Sequence, residues 1–334
     1  MRHVSMLIAA VLALTVATGA QAWWCTGHMT IAEIARENLN SGPRSTVESI
    51  ISSLNTMGPF PKVTYMTEAG CWADDIRSNN KAMAQWHFLN IPFAPTGYPA
   101  HLPPQVENVE SVIPQMYDGA KGNHYSKPNN WELVFAVANL IHFYGDIHQP
   151  LHVTDLVTSK FPNGDKGGNL LMINVGGNTQ DLHGYWDAIC NQFVTDPNRP
   201  LSSSDRQYIE NLAQTFMTNF TFSSEQKAVW NSTVMAQESY QYAVQYSYDN
   251  GNLQPGDTLS PTYIANCMQA AGQRVTLAGY RLASELNYIF KDSSKLPEAK
   301  HIHERIQRGY KEVREVAKAK YAEIALAAKA NKAL

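Results

Sequence analysis

The chain has 334 residues, 44% of them hydrophobic, enough to bury one large core. Lys and Arg total 26 against 29 Asp and Glu, a formal net charge of −3. That balance excludes recognition of a polyanion by bulk positive charge, so any polyanionic substrate must be received by something other than basic side chains.

At the N-terminus, Arg2 precedes an apolar run from Met6 to about Val16, and Ala20-Gln21-Ala22 supplies a small-x-small cleavage site. This is the pattern of a secretory signal over residues 1–22, to be removed so that the mature chain begins at Trp23. The run is well short of the ~20 residues a spanning helix needs, and no later segment is apolar enough, so an exported product without an integral membrane anchor is expected. Cys25, Cys71, Cys190 and Cys267 remain after cleavage, and an even number in an oxidising compartment predicts two disulfides. Three pairings are possible. Cys25–Cys71 with Cys190–Cys267 is preferred, because Cys25 and Cys71 each lie three residues from a candidate ligand, His28 and Asp74. Asn219 and Asn231 head glycosylation sequons.

Apolar spacing predicts a short helix from His28 to Asn40, punctuation at Ser41-Gly42-Pro43, and a second helix through Val47, Ile50, Ile51 and Leu54. Cys71 to Arg77 reads as helix and Trp86 to Asn90 follows a polar loop. Residues 91–106 carry five prolines and read as loop, with a further helix around Val109 to Tyr117. A central helix runs from about Asn130 to His148, where Pro150 ends it. Asn163 to Gly168 is turn chemistry, Leu170 to Val175 with Gly176-Gly177 reads as a hairpin, and Asp181 to Asp187 opens another helix. Long helical patterns fill 203–218, 223–248 and 261–290. The fold class is therefore all-α, a single large helical domain over 23–290 with one small hairpin. Residues 291–334 differ: eleven Lys and Arg against six Asp and Glu, with an apolar stripe through Ile302, Ile306, Tyr310 and Val313. Such a basic amphipathic helix docks on the body, self-associates, or touches nucleic acid or anionic lipid.

The chemistry is concentrated in Asn139 to Val153. His142 and Asp146 are four residues apart on a helix and project from one face, as a pair of metal ligands requires; past Pro150 the chain returns His152 to the same neighbourhood. His183 and Asp187 repeat the spacing. With Trp23, His28, Asp74 and His87 these make nine candidate ligand-bearing residues, too many for one tetrahedral ion, and their imidazole and carboxylate character suits zinc in an open, catalytic arrangement. Spacing leaves open whether they hold two ions or three. Asp75 is the rival to Asp74 but is turned about 100° away on a helix. His101, His124, His148 and Asp155 fall outside these motifs and are expected at the surface or behind the ligands.

Trp23-x4-His28, Trp72-Ala73-Asp74, Trp86-His87-Phe88, His142-x3-Asp146-x5-His152, Gly167-Gly168-Asn169 and His183-x3-Asp187 resemble, in order and spacing, the S1/P1 nuclease family of secreted zinc nucleases. The resemblance covers roughly 23–290. It implies a phospholipase C/P1 nuclease-like helical fold and three zinc ions: one on Asp74, His87, His142 and Asp146; a second on His152, His183 and Asp187; a third on His28, the bridging Asp146, and the backbone amine and carbonyl of Trp23. It also implies endonuclease and 3′-nucleotidase activity on single-stranded DNA, RNA and 3′-nucleotides. Zinc-activated hydroxide would attack phosphorus and zinc would stabilise the departing 3′ oxygen, leaving 5′-phosphates. Asp74, Asp146 and Arg77 would be the catalytic residues, with Arg77 near the scissile phosphate. Phe88 matches the family's base-stacking aromatic, and Asn90 stands where the fungal members carry a base-binding aspartate. A zinc phospholipase C on the same scaffold is the alternative activity, and a non-catalytic zinc-binding protein the alternative class.

Overall fold

A computed structural model describes residues 23–52, 54, 63–79, 81–121, 130–193 and 196–290. The expected signal segment, 1–22, and the basic tail, 291–334, lie outside the described residues, as do His124, His301 and His303. In chain order the helices are α1 (Cys25–Glu37), α2 (Ser41–Ser52), α3 (Met66–Ala69), α4 (Trp72–Asn79), α5 (Val109–Lys121), α6 (Asn130–His148), α7 (Leu182–Asp187), α8 (Ser203–Asn219), α9 (Ser224–Lys227), α10 (Ser232–Tyr242) and α11 (Pro261–Ile289). The strands are β1 (Ile91–Phe93), β2 (Thr154–Leu156), β3 (Met172–Val175) and β4 (Asn178–Asp181).

Helix α6 is the axis of the molecule. Leu140, Ile141, Phe143, Tyr144 and Ile147 are all buried, so it is enclosed on every side by α1, α2, α5, α10 and α11. Each such apolar side chain contributes roughly 1.5–3 kcal/mol on burial. His142 and Asp146, in the same enclosed helix, carry the opposite sign: a buried polar or charged group costs several kcal/mol unless something pairs with it. Helix α1 separates two apolar cores. Ala32 and Ala35 join the core around α6, whereas Ile31 and Ile34 join a second core with Leu182, Tyr185 and Trp186 of α7 and Ala271, Val275 and Ala278 of α11. The candidate ligands come from elements of both cores. The disulfides are Cys25–Cys71, tying α1 to the approach of α4, and Cys190–Cys267, tying the end of the α7 region to α11.

The predicted hairpin is present as the antiparallel pair β3–β4. Several expectations need correction. Residues 91–106 are not wholly loop: β1 pairs in parallel with β2, Ile91 opposite Thr154, and the pair escapes notice because each strand has only three residues and Pro92 sits in one. Ser41-Gly42-Pro43 does not punctuate but forms the first turn of α2, where proline needs no N–H donor. The 223–248 pattern is not one helix. Ser223 and Gln226 form a capping box on α9, Asn231 caps α10, and Ala243–Ser247 closes as a π turn. Asn231 is therefore a buried cap whose side chain accepts the Val234 N–H, and it offers no exposed amide for a glycan; Asn219, at the end of α8, is exposed. Of the two places expected for His148 and Asp155, the surface or behind the ligands, both residues take the interior, His148 between the Tyr144 carbonyl and Arg281.

Candidate metal centre

Three of the five imidazoles are oriented from behind by a backbone carbonyl. His142 Nδ1 lies 2.6 Å from the Gly70 carbonyl, His152 Nδ1 is 2.7 Å from that of His87, and His183 Nδ1 is 2.6 Å from that of Gly167. Donation of the Nδ1 proton fixes the tautomer and turns Nε2 inward as a lone pair, the arrangement that metal-binding histidines use. The inward atoms then crowd together. His87 Nδ1 is 3.0 Å from His142 Nε2, and His152 Nε2 is 3.1 Å from His183 Nε2. Two lone pairs at this separation would repel, so each pair calls for a proton on one nitrogen or a cation between the two.

Asp146 is the hub. Its Oδ2 is 3.0 Å from His87 Nδ1 and 3.2 Å from His142 Nε2, and its Oδ1 is 3.4 Å from His28 Nε2 and 3.9 Å from His152 Nδ1. His28, from the first turns of α1, stacks on His142 with ring centroids 3.9 Å apart. Gly145 makes this close approach possible, because a Cβ there would stand 2.6 Å from His28 Nδ1. Trp23 is buried, and its indole Nε1 donates to the Gly145 carbonyl at 3.0 Å, next to Asp146; the Trp24 N–H donates to the carbonyl of Asp187. The start of the described chain is thus anchored against both α6 and α7.

Among the described residues, three groups of side chains bring ligand atoms within 4.8 Å of one another: His28, Asp74 and His142; His87, His142 and Asp146; and His152, His183 and Asp187. All eight side chains are buried. The first two groups share His142, and the separations above make Asp146 the link among His28, His87, His142 and His152. Trp23 has no side-chain ligand atom in these groups. Asp75 is turned away, as expected, into a bidentate pair with Arg199.

The electrostatics favour bound cations. Burial and neighbouring His142 push His28 well below the usual imidazole range, and burial takes His152 down to about 3. Burial also opposes charge on His142 and His183, but Asp146 and Asp74 hold the first, and Asp187 the second, up to about 9. Asp146 stays well below the carboxylate range despite burial, because His142 and His87 face it. Protons on His142 and His183 therefore relieve part of the repulsion. They leave both ring nitrogens of His28 without a hydrogen bond, and Asp146 and Oδ1 of Asp74 with ion-pair contacts only, in a buried site. Buried groups so incompletely paired are costly, and metal ions satisfy all of them at once, so the donor set fits zinc.

Around this centre, Arg77 is largely buried, with Nε 3.3 Å from Asp74 Oδ1, and its charge reaches His152. Phe88 and Asn90 are half-buried on the segment that His87 begins, which is laced to the third ligand loop by Leu89 N–H to the His152 carbonyl; the Asn90 N–H donates to Gln105 Oε1. Gln149 is a supporting contact of the cluster that the spacing does not reveal. Its Nε2 donates to Asp187 Oδ1 at 2.6 Å while its Oε1 accepts the Leu151 N–H, so it orients one ligand and caps the turn Pro150–His152. The only sequence signal for it was its place beside Pro150.

The sequence model of the S1/P1 Nuclease family matches residues 23–291. Among curated relatives, Endonuclease 5 of Arabidopsis thaliana is 26% identical over 329 residues, covering 86% of this chain and 98% of the relative. Nuclease S1 of Aspergillus oryzae is 26% identical, covering 86% of this chain and 97% of the relative, and Nuclease P1 of Penicillium citrinum is 24% identical, covering 80% and 97%.

Proposed function

The chain belongs to the S1/P1 nuclease family, and from that premise we propose that it is an exported, zinc-dependent endonuclease and 3′-nucleotidase that cuts single-stranded DNA and RNA to 5′-phosphate products. The observation that carries this reading is the convergence of buried His28, Asp74, His87 and Asp146, lacking good hydrogen bonds at His28, Asp74 Oδ1 and Asp146, on the carbonyl-oriented imidazoles of His142, His152 and His183. The ligand sets are taken as Asp74, His87, His142 and Asp146; His152, His183 and Asp187; and His28 and Asp146 with the backbone of Trp23. Zinc held there supplies Lewis acidity and activates water for in-line attack on a phosphodiester phosphorus.

The protein's own contribution is positioning and charge. Asp146 holds adjacent ligand sets together, and Gln149 fixes Asp187. Arg77, set beside Asp74, meets the charge that develops on the phosphate oxygens. Phe88 offers a half-exposed ring on which one base stacks, worth about 1–3 kcal/mol with little sequence preference; a base still in a duplex cannot reach it. Asn90 offers an amide, which both donates and accepts, at the base edge. Removal of residues 1–22 frees the α-amino group of Trp23, so export and completion of the site are one event. Metal ions rather than basic side chains receive the polyanion, consistent with the net charge of −3.

The test is hydrolysis of a labelled single-stranded oligonucleotide against its duplex and against phosphatidylcholine, with end-group analysis of the products. Preferential single-strand cleavage leaving 5′-phosphates is expected. Turnover of the lipid alone would transfer the assignment to a phospholipase, and turnover of neither to a binding protein.

A further inference from the structure

His183 owes its orientation to the Gly167 carbonyl, and the loop that carries Gly167 is held in an unusual shape. Gly164, Lys166, Gly167 and Gly168 all have positive φ, Lys166 included although it bears a side chain. Two buried carboxyls stand under this loop. Asp155 Oδ1 accepts the Lys166 N–H at 2.8 Å, and the Gly167 N–H also faces Asp155, while the Asp165 N–H donates to the Leu156 carbonyl at 3.0 Å. Asp165 Oδ1 accepts the Leu156 N–H at 2.9 Å, while the Tyr248 hydroxyl reaches both Asp165 oxygens at 3.0 Å. Gly164 packs so closely on Asp155 that a Cβ would fall 2.3 Å from its Oδ1.

The two carboxyls also face each other. Both accept backbone donors, and Asp165 accepts the Tyr248 hydroxyl as well. Two facing carboxyls in one buried site cannot both ionise, so they share a proton; burial and the facing Asp155 push Asp165 up to about 7, which places the proton there. We propose that Asp155 and Asp165 are positioning residues for His183: an Asp165–OH donating to an Asp155 carboxylate clamps the 164–168 loop so that the Gly167 carbonyl holds the His183 ring toward His152 and Asp187. The pair thereby sets the affinity of that one cluster and leaves the clusters around Asp146 alone. The inference rests on the zinc reading above and adds two residues to it that touch neither metal nor substrate.

The proton assignment makes the two isosteric substitutions unequal. Asp165→Asn reproduces the protonated carboxyl: its oxygen accepts from Leu156 and Tyr248 and its amide donates to Asp155. Asp155→Asn turns an N–H toward backbone donors and releases the loop. Zinc per chain and stepwise zinc affinity, read by competition with a chromophoric chelator on the full processed protein, distinguish them. Asp165→Asn is expected to bind as wild type. Asp155→Asn is expected to weaken one site of three by at least tenfold, the usual scale for groups that orient a ligand, and to leave two unchanged. Gly164→Ala, which keeps both carboxyls but pushes on Asp155, reproduces the same selective loss. Equal behaviour of the two isosteres, or weakening of all three sites together, overturns the proposal. Wild-type protein that binds no zinc is a separate result and defeats the zinc reading itself.

Discussion

Gly145→Ala probes how closely the centre is packed. The added Cβ would lie 2.6 Å from His28 Nδ1 and 2.7 Å from His28 Cε1, so the ring must give by about 0.8 Å to reach ordinary contact at 3.4 Å. The retreat is opposed, because the ring is wholly buried and stacked on His142. Overpacking of this kind costs ~1–3 kcal/mol, and replacing glycine by alanine inside a helix returns roughly 1 kcal/mol. The net loss of stability is therefore small, between about 0 and 2 kcal/mol, or a few degrees in Tm for a chain of this size. The metal centre is affected far more. A ligand moved by nearly an ångström leaves its site, and zinc affinity at the position served by His28 should fall at least about tenfold. The assay pairs thermal unfolding with zinc titration of wild type, Gly145→Ala, His28→Ala and the double variant. In the background without the imidazole the alanine should stabilise, by about the helix-propensity gain, giving a coupling between the two positions. A Gly145→Ala protein with raised Tm and undiminished zinc would refute the packing argument.

Three further outcomes follow from named contacts. Arg77→Ala should lower kcat on single-stranded oligonucleotides by ~10²-fold, the scale of lost oxyanion-type stabilisation, with zinc content retained; loss of zinc instead would make Arg77 a support for Asp74 only. Gln149→Leu leaves Asp187 Oδ1 and the Leu151 N–H unpartnered, and should cost about 1–3 kcal/mol in urea unfolding and about tenfold in zinc affinity. Asp165, pushed up to about 7 from the ordinary carboxylate value, is protonated in the folded chain where the unfolded chain has lost the proton. Its contribution to stability therefore falls as pH rises from about 4 to about 7, by up to ~1.4 kcal/mol per pH unit. Asp165→Asn should gain on wild type over that window, and parallel stability profiles for the two proteins would contradict the assignment.

Much of this was legible in the sequence because the strongest signals are periodic. The extent of α6, Asn130 to His148, follows from its apolar spacing and from Pro150, and the two His-x3-Asp pairs land on helix faces as i, i+4 geometry requires. Interactions that leave no periodic trace stayed hidden. The acceptors that orient His142, His152 and His183 are backbone carbonyls of Gly70, His87 and Gly167, and a carbonyl has no letter of its own. Nothing in the sequence decides whether Asp155, three positions past His152, lies at the surface or behind the ligands; its burial is created by Tyr248 and the loop at 164–168, which reach it only in the fold. Gln149 is one polar residue among several until α7 places Asp187 against it. The break of 223–248 into α9 and α10 is written in the caps Ser223 and Asn231, which a long apolar pattern overrides when read alone.

The central claim is that a cluster of zinc ions, completed by the freed amine of Trp23, does the work. The most direct measurement is elemental analysis of exported protein whose N-terminus has been sequenced, combined with cleavage of single-stranded DNA before and after chelation. The account predicts about three zincs on a chain starting at Trp23, with activity abolished by EDTA and restored by zinc. Full activity with two or fewer zincs, or on a chain that retains residues 1–22, would contradict it.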